Sequence, residues 1–473
     1  MAHSGEAAWR YHDATKHSLA SLRATTHRLD WPNQPLPFKI YTDLAPLPLP
    51  HDFSAWSAQR VDKVSLARLC FYANGVTRKL RRHDEQVPFR AAACTGALYH
   101  IELYVVCQDL PDLAAGVYHY GAHDHALRQL RPGDVRAALI DATGGESHVA
   151  HAPAIVVLTS TFWRNAWKYQ ARAYRHSFWD SGTILANALA VDPTASVVMG
   201  FADDAVNQLL GIDAVHEAAI CLMPIGLEAA SPIAAPALPP LDHAVQPLSR
   251  SEVDYPAITA MHNASSLPTG TAAAHWRSDI APAPAAWTVP GPPIEEVIIR
   301  RGSARRFNHA PITRDQLEII LATATAPVAA DWGERLTTPY LIVHAVDGLE
   351  PGSYVFEGSL KPLQQGDFRA VAGFLDLGQE LAADAAVNVY SLADLHTVLD
   401  RLDNRGYRAA QLEGAIEGGR LYLGAYALGL GATGLTFFDD DVIRFFSPHA
   451  ADKSVMFLTA IGHPARRASF SSP

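Results

Sequence analysis

The sequence predicts a mixed helix-and-strand chain in which one domain is present twice, and three observations carry that prediction. First, Trp167-Lys168-Tyr169-Gln170-Ala171-Arg172-Ala173-Tyr174-Arg175 and Asn404-Arg405-Gly406-Tyr407-Arg408 both run into Gly- and Ala-rich, helix-like segments. Second, the two strings share a sequel, Gly200-Phe201-Ala202-Asp203-Asp204 in one case and Gly434-Leu435-Thr436-Phe437-Phe438-Asp439-Asp440 in the other. Third, the spacing barely drifts. Tyr354 follows Tyr118 by 236 residues, Tyr407 follows Tyr174 by 233, Gly434 follows Gly200 by 234, and Gly462 follows Gly226 by 236. Repeats of a solenoid run to about 20–50 residues; a period this long is a whole domain copied once.

Taken in order, the chain opens with an expected helix around Trp9, followed by extended chain to about Pro50. Val64 to Gly75 has apolar residues at helical spacing and stops at Asn74-Gly75. The basic run Arg78 to Arg82 reads as a solvated helix end or loop. Phe89 to Tyr99 is a small-residue loop that leads into strands at Ile101 to Val106, Val117 to Tyr120 and Ala154 to Thr159. From Glu228 to about Pro293 alanine and proline dominate, which reads as a linker without regular elements. The second copy starts with a helix from Pro293 to Ile299 and ends near Arg467, with a frayed tail from Ala468. The domains expected are therefore 1–228 and 293–467, joined by a linker at 229–292.

Composition excludes several classes. Hydrophobic residues make up 49% and charged residues 18%, enough for a large core. The net charge of −10 is spread out, and the only basic clusters are the short runs at 78–82 and 300–306, which argues against nucleic acid as a partner. Four cysteines without a CxxC spacing give no zinc motif and suit a reduced cytoplasm. The first residues lack the pattern of a signal peptide, and no apolar run reaches the roughly 18 residues of a membrane helix.

Four strings resemble tandem, two-domain nitroreductase-fold flavoproteins of the SagB/ThcOx dehydrogenase type. Arg300-Arg301-Gly302-Ser303-Ala304-Arg305-Arg306-Phe307 is similar to the family's Arg/Ser-rich approach to the flavin phosphate. Ala92-Ala93-Cys94-Thr95-Gly96-Ala97-Leu98-Tyr99 resembles its Pro-Ser-Ala-Gly-Ala-Leu-Tyr loop, with Ala, Cys and Thr in place of Pro, Ser and Ala. Lys168-Tyr169 sits where azoline oxidases carry a Lys-Tyr pair, and Gly429-Leu430-Gly431-Ala432-Thr433-Gly434 resembles the segment that passes the isoalloxazine ring. The resemblance implies an α+β fold with a mostly antiparallel sheet. It also implies that two copies pair and bind FMN in the clefts between them, here as a pseudo-dimer within one chain.

A flavin phosphate needs Arg side chains and hydroxyls, and the second half supplies Arg301, Ser303, Arg305, Arg466 and Arg467. The first half has no such string and carries Glu228 where a cation is wanted. The small-residue loop (Cys94, Thr95, Gly96) and the Lys168-Tyr169 pair belong to the first half; the second has Pro327 to Gly333 and Leu402-Asp403 instead. The surviving parts compose one site, with Ala432, Thr433 and Gly434 along the ring, and one FMN per chain is expected. In that reading Lys168 or Tyr169 removes a ring proton as hydride moves to flavin N5. The competing readings are bland. Arg300 to Arg306 could be a solvated helix end, Gly429 to Gly434 a helix cap and tight turn, and Lys168-Tyr169 a snorkelling Lys and a core Tyr. Three functions follow: an FMN-dependent dehydrogenase of an azoline-like heterocycle or peptide-derived substrate in natural-product biosynthesis, an NAD(P)H-dependent nitro- or quinone reductase, or a flavin-sequestering protein. The expected partners are a small-molecule or peptide-derived substrate and biosynthetic partner enzymes, with no nucleic acid and no membrane.

Overall fold

A computed structural model describes residues 5–82, 85–229, 232, 234, 237–280 and 287–465. The first half runs α1 (Glu6–Ala14), α2 (Leu19–Ala24), β1 (Leu47–Pro48), α3 (Lys63–Asn74), β2 (Val76–Arg82), β3 (Glu85–Arg90), β4 (Ile101–Cys107), β5 (Gly116–Gly121), β6 (Ala126–Pro132), α4 (Arg136–Ala142), α5 (Ser147–His151), β7 (Ala154–Thr161), α6 (Phe162–Tyr169), α7 (Ala173–Val191), α8 (Asp203–Leu210) and β8 (Glu217–Ile225). Between the halves lie α9 (Pro256–Ala264) and α10 (Gly270–Trp276). The second half runs α11 (Ile294–Arg300), β9 (Ile312–Thr313), α12 (Arg314–Ala324), β10 (Thr337–Val343), β11 (Val346–Asp347), β12 (Gly352–Phe356), β13 (Leu360–Gln365), α13 (Arg369–Leu375), α14 (Glu380–Asp384), β14 (Val387–Ala393), α15 (Leu395–Ala427), β15 (Gly431–Gly434), α16 (Asp439–Phe446) and β16 (Ser454–Gly462).

Each half builds its own sheet. The orders are β1-β6-β5-β4-β7-β8 and β13-β12-β10-β14-β16-β15, so five strands correspond one to one, and every pairing within these two sheets is antiparallel. Strands β4 and β7 are buried along their whole length, which is why they read as continuous apolar runs rather than as alternating ones.

The two halves meet through α7 and α15. A Cβ built on Gly182 would stand 2.5 Å from the Ala415 Cβ, and one on Gly419 would stand 2.5 Å from the Ala186 Cβ, so each helix offers a glycine to an alanine of the other. The backbone breaks at the same place in both copies, at Gln170 (φ 50, ψ −140) and, 233 residues on, at Asp403 (φ 50, ψ −159). A second reciprocal contact ties the copies. Arg175 and Arg172 of the first half hold Asp439 of the second at 2.7 and 3.2 Å, while Arg405 and Arg408 of the second hold Asp203 of the first at 2.6 and 2.7 Å. Burial opposes ionisation of Asp203, but the two guanidiniums outweigh it and hold the carboxyl at about 2; Asp439 is lowered in the same way.

Two sequence expectations need correcting. The Ala/Pro-rich segment is not devoid of regular structure, because α9 and α10 lie within it. Pro256 occupies the first turn of α9, where its missing N–H costs nothing, and Pro268 precedes the Thr269 cap of α10. These helices repeat the N-terminal arm contact by contact. Arg408 donates to the His262 carbonyl (2.6 Å) and the Ser265 hydroxyl (2.7 Å), as Arg175 does to the His12 carbonyl (2.6 Å) and the Thr15 hydroxyl (3.0 Å). The Leu267 N–H reaches Asp203 as the His17 N–H reaches Asp439. The basic run at 78–82 is neither helix end nor loop; it lies on β2, paired with β3 in an exposed hairpin. No described helix is long and apolar enough to cross a membrane.

Candidate active site: a composite cleft

The small-residue loop of the first half is held from both sides of the molecule. Arg301 of the second half donates its Nε to the Ala91 carbonyl (2.8 Å) and an Nη to the Arg90 carbonyl (3.2 Å). From beneath, Asp180 on α7 accepts the Thr95 N–H (2.9 Å), the Thr95 hydroxyl (2.8 Å) and the Cys94 thiol (3.0 Å). His100, fully buried, binds the same carboxylate at 2.9 Å and passes the contact on to Ser160. Burial and the neighbouring Asp180 push the Cys94 thiol well above its ordinary range, so it serves as an S–H donor. The loop turns through left-handed residues at Gly96 (φ 65), Ala97 (φ 55) and Tyr99 (φ 51).

Lys168 and Tyr169 end α6 beside this loop. A Cβ on Gly96 would lie 2.8 Å from the Tyr169 hydroxyl, and the Lys168 Nζ stands 5.2 Å from the Tyr169 ring centroid. Burial, then Asp180 and Cys94, raise the Tyr169 phenol far above its ordinary value, which favours its protonated form. Its ring meets His176 edge-on at 4.6 Å, and His176 in turn lies against Trp179, which donates to Gln411 of the second half.

The second half closes the other wall. The Ser303 hydroxyl lies 3.2 Å from that of Tyr422, which also takes the Gly434 N–H. The Ala304 N–H donates to the Ala432 carbonyl at 2.9 Å. The Ala432 side chain is in the core of the second half and Thr433 is buried, whereas Gly434 is exposed. Arg305 is exposed, and among the described residues no carboxylate pairs with it. Arg78 of the β2–β3 hairpin points here as well, 3.7 Å from a Cβ built on Gly302. Arg466 and Arg467, like the tail from Ala468, lie outside the described residues.

The corresponding cleft of the other copy is filled by protein. Its counterpart of Gly434 is Gly200, and there the Asp331 carboxylate accepts the N–H groups of Met199 (2.9 Å) and Gly200 (2.7 Å). Ala330 bridges Val197, and Trp332, 1% exposed, donates to Glu413. Glu413 lies 233 residues after Asp180 and holds the N–H groups of Leu336 and Thr337.

The nitroreductase family profile matches residues 80–227 and again 298–463. The chain belongs to the nitroreductase family. Over 98% of its length it superposes on all of a nitroreductase-family protein of Anabaena variabilis, with 28% identity and a TM-score of 0.81. A curated nitroreductase-family protein of Methanocaldococcus jannaschii is 26% identical over 165 residues, which is 34% of this chain and 78% of that one. A nitroreductase from Desulfovibrio desulfuricans, solved in complex with FMN, covers 38% of this chain and 92% of its own at 19% identity, with a TM-score of 0.27.

Within this nitroreductase-family framework, the donor set fits FMN. Arg301, Arg78 and the Ser303 hydroxyl gather around Gly302 with no opposing carboxylate among the described residues, and exposed Arg305 follows two residues after Ser303; such a set suits a dianionic phosphate. One buried polar atom two residues beyond Gly434, Thr436 Oγ1, has no partner among the described residues, and a ligand's polar edge would satisfy it. Sequence reasoning missed Asp180, His100, Tyr422 and Arg78. A lone carboxylate in the apolar run Phe178-Trp179-Asp180-Ser181 was the available signal for the first. His100 and Tyr422 carried none, and the flanking arginines concealed Arg78.

Proposed function

We propose that the protein is an FMN-dependent oxidoreductase that holds one FMN per chain in the composite cleft. On this reading it acts as a SagB/ThcOx-type dehydrogenase on an azoline-like heterocyclic or peptide-derived substrate of natural-product biosynthesis. The observation that carries this is the asymmetry of the clefts. The one with Arg301, Ser303, the Cys94 loop and Tyr169 is open at Gly434, while its counterpart is occupied by Asp331 and Trp332. FMN bound there would supply a hydride acceptor. Arg301, Ser303, Arg305 and Arg78 would hold its phosphate, and Asp180 keeps the Cys94–Gly96 loop against the site. On this reading Lys168 would take the substrate proton and Tyr169, its phenol raised by burial, would return or relay one.

The test begins with flavin released from denatured protein, expected at about one FMN per chain and lowered in Arg301→Ala/Arg305→Ala without unfolding, because each charge-assisted bond is worth roughly 1.5–3 kcal/mol. Two FMN per chain would overturn the single-cleft reading. Bleaching of the yellow protein by NADH or NADPH would shift the assignment to a nitro- or quinone reductase, and a flavin that no small reductant or oxidant reaches would shift it to sequestration.

A further inference from the structure

The filled cleft records a position that the N-terminal arm has not taken in the open one. There, α10 lies directly on the first half. A Cβ on Gly270 would fall on the Asp141 carbonyl oxygen, the Gly270 carbonyl covers Gly144, and the Ala273 carbonyl and Arg277 Cβ each stand 3.2 Å from a Cβ built on Gly200. Ala273 is fully buried, and Arg277 donates to the carbonyls of Thr143 and Gly144.

Helix α2 is reached by the same chain path. The His17 N–H donates to the Asp439 carboxylate and its carbonyl accepts the Asp439 N–H, as Leu267 does with Asp203, and Ser18 caps α2 as Thr269 caps α10. Yet none of its six residues is buried, and Leu19 and Leu22 are 45% and 36% exposed. The facing corner is equally bare. Phe374, 233 residues after Asp141, is 42% exposed; a Cβ on Gly378, 234 after Gly144, would meet nothing within 4 Å; and Gly434 is exposed where Gly200 is covered.

We propose that α2 is the lid of the composite cleft, closing onto the 374–378 corner as α10 has closed onto its own, and clasping an apolar group of the substrate between Leu19, Leu22 and Phe374. Leu19 stands where α10 has Gly270. Glycine lets α10 touch main chain, whereas leucine holds α2 off by the thickness of a side chain and leaves a slot. Both ends of the arm are tied down, Lys16 to Asp440 (2.9 Å) on one side and His27 to the Trp167 carbonyl (3.0 Å), beside Lys168, on the other. The helix can therefore swing without the arm detaching.

This inference rests on the composite cleft being the working one. Its test is the pair Leu19→Cys/Phe374→Cys, both at exposed positions, the second giving up only the ring contact of Phe374 with Phe438 at 5.4 Å. Under mild oxidation a disulfide between them is expected, located by peptide mass mapping. It should slow trypsin cleavage after Arg23 by about tenfold or more, the protection expected when local opening is suppressed, and weaken iodide quenching of the flavin, both reversed by dithiothreitol. Failure of the pair to cross-link, or a cross-linked protein quenched and cleaved as fast as the reduced one, overturns the lid. A purified chain without flavin fails the cofactor reading alone, because cross-link yield and trypsin protection still decide whether α2 closes.

Discussion

Gly96 is the residue on which the open cleft is most finely set, since it turns at φ 65 and leaves no room for a Cβ beneath the Tyr169 hydroxyl. Gly96→Ala is expected to cost about 1–2 kcal/mol for the left-handed backbone and to slow turnover further by displacing Tyr169. Adding Tyr169→Phe removes the colliding oxygen, so the double variant should melt higher than Gly96→Ala alone; strictly additive melting shifts would show that the two do not meet. Lys168→Ala and Tyr169→Phe, made singly, should retain flavin and fold while slowing substrate oxidation by roughly 10²–10⁴-fold, the range of general acid–base catalysis. Wild-type turnover in fully flavinated variants would remove both from the chemistry. The loop and the Lys-Tyr pair were legible as strings because their neighbours in sequence are their neighbours in space. Asp180 was not, because its role arises from contact with a loop about 85 residues earlier, and a single Asp in an apolar helix has no local pattern to announce that contact.

At the scale of elements, the reciprocal Arg–Asp clamps and the glycine–alanine crossing of α7 and α15 join the halves. Asp439→Ala leaves Arg172 and Arg175 buried beside each other without a counter-ion, and is expected to destabilise by about 3–5 kcal/mol. A loss below about 1 kcal/mol in urea denaturation would mean that the clamp is incidental. Asp203→Ala should behave alike, since its geometry is the same. The strands and the α3 stop were readable because burial and caps write directly into sequence. The helices at 256–276 were hidden because proline was counted rather than placed: at the first turn or before a cap it is compatible with helix. The β2–β3 hairpin was hidden for another reason. Strand β2 is exposed on both faces from Arg78 to Arg81, so Arg78, Lys79 and Leu80 carry no alternation to read.

For the whole molecule, neutral histidines, His12 and His262 buried and His17 half-buried, give a definite acid response. Burial and nearby guanidiniums depress His17 and His262 to about 3, and His12 well below its usual value. A folded pKa below the ordinary 6.5 means that the unfolded chain binds more protons, so stability falls as pH drops from about 6.5 towards 3, by at most about 1.4 kcal/mol per pH unit for each histidine. Asp203, held at about 2 against an ordinary 3.8, adds a loss only below about pH 4. Asp331, raised to about 6 by burial, works the other way between about pH 4 and 6, so the histidine contribution is read as a difference: the wild type should lose more melting temperature between pH 7 and 5 than His262→Asn does, and equal losses would contradict the burial of the His262 ring as a neutral group. The two-copy plan was visible in the sequence through its constant offset. That one cleft is physically stoppered was not, because Asp331 and Trp332 reveal their role only against Gly200 and Glu413. That stopper has a consequence for assembly. In a pair of identical chains, whatever residue stands at one doorway stands at both, and a tryptophan that seals one entrance seals its twin. Joined in a single polypeptide, the copies are released from that bond, and each doorway carries its own residues: Asp331 and Trp332 bar one, and nothing obliges the other to follow.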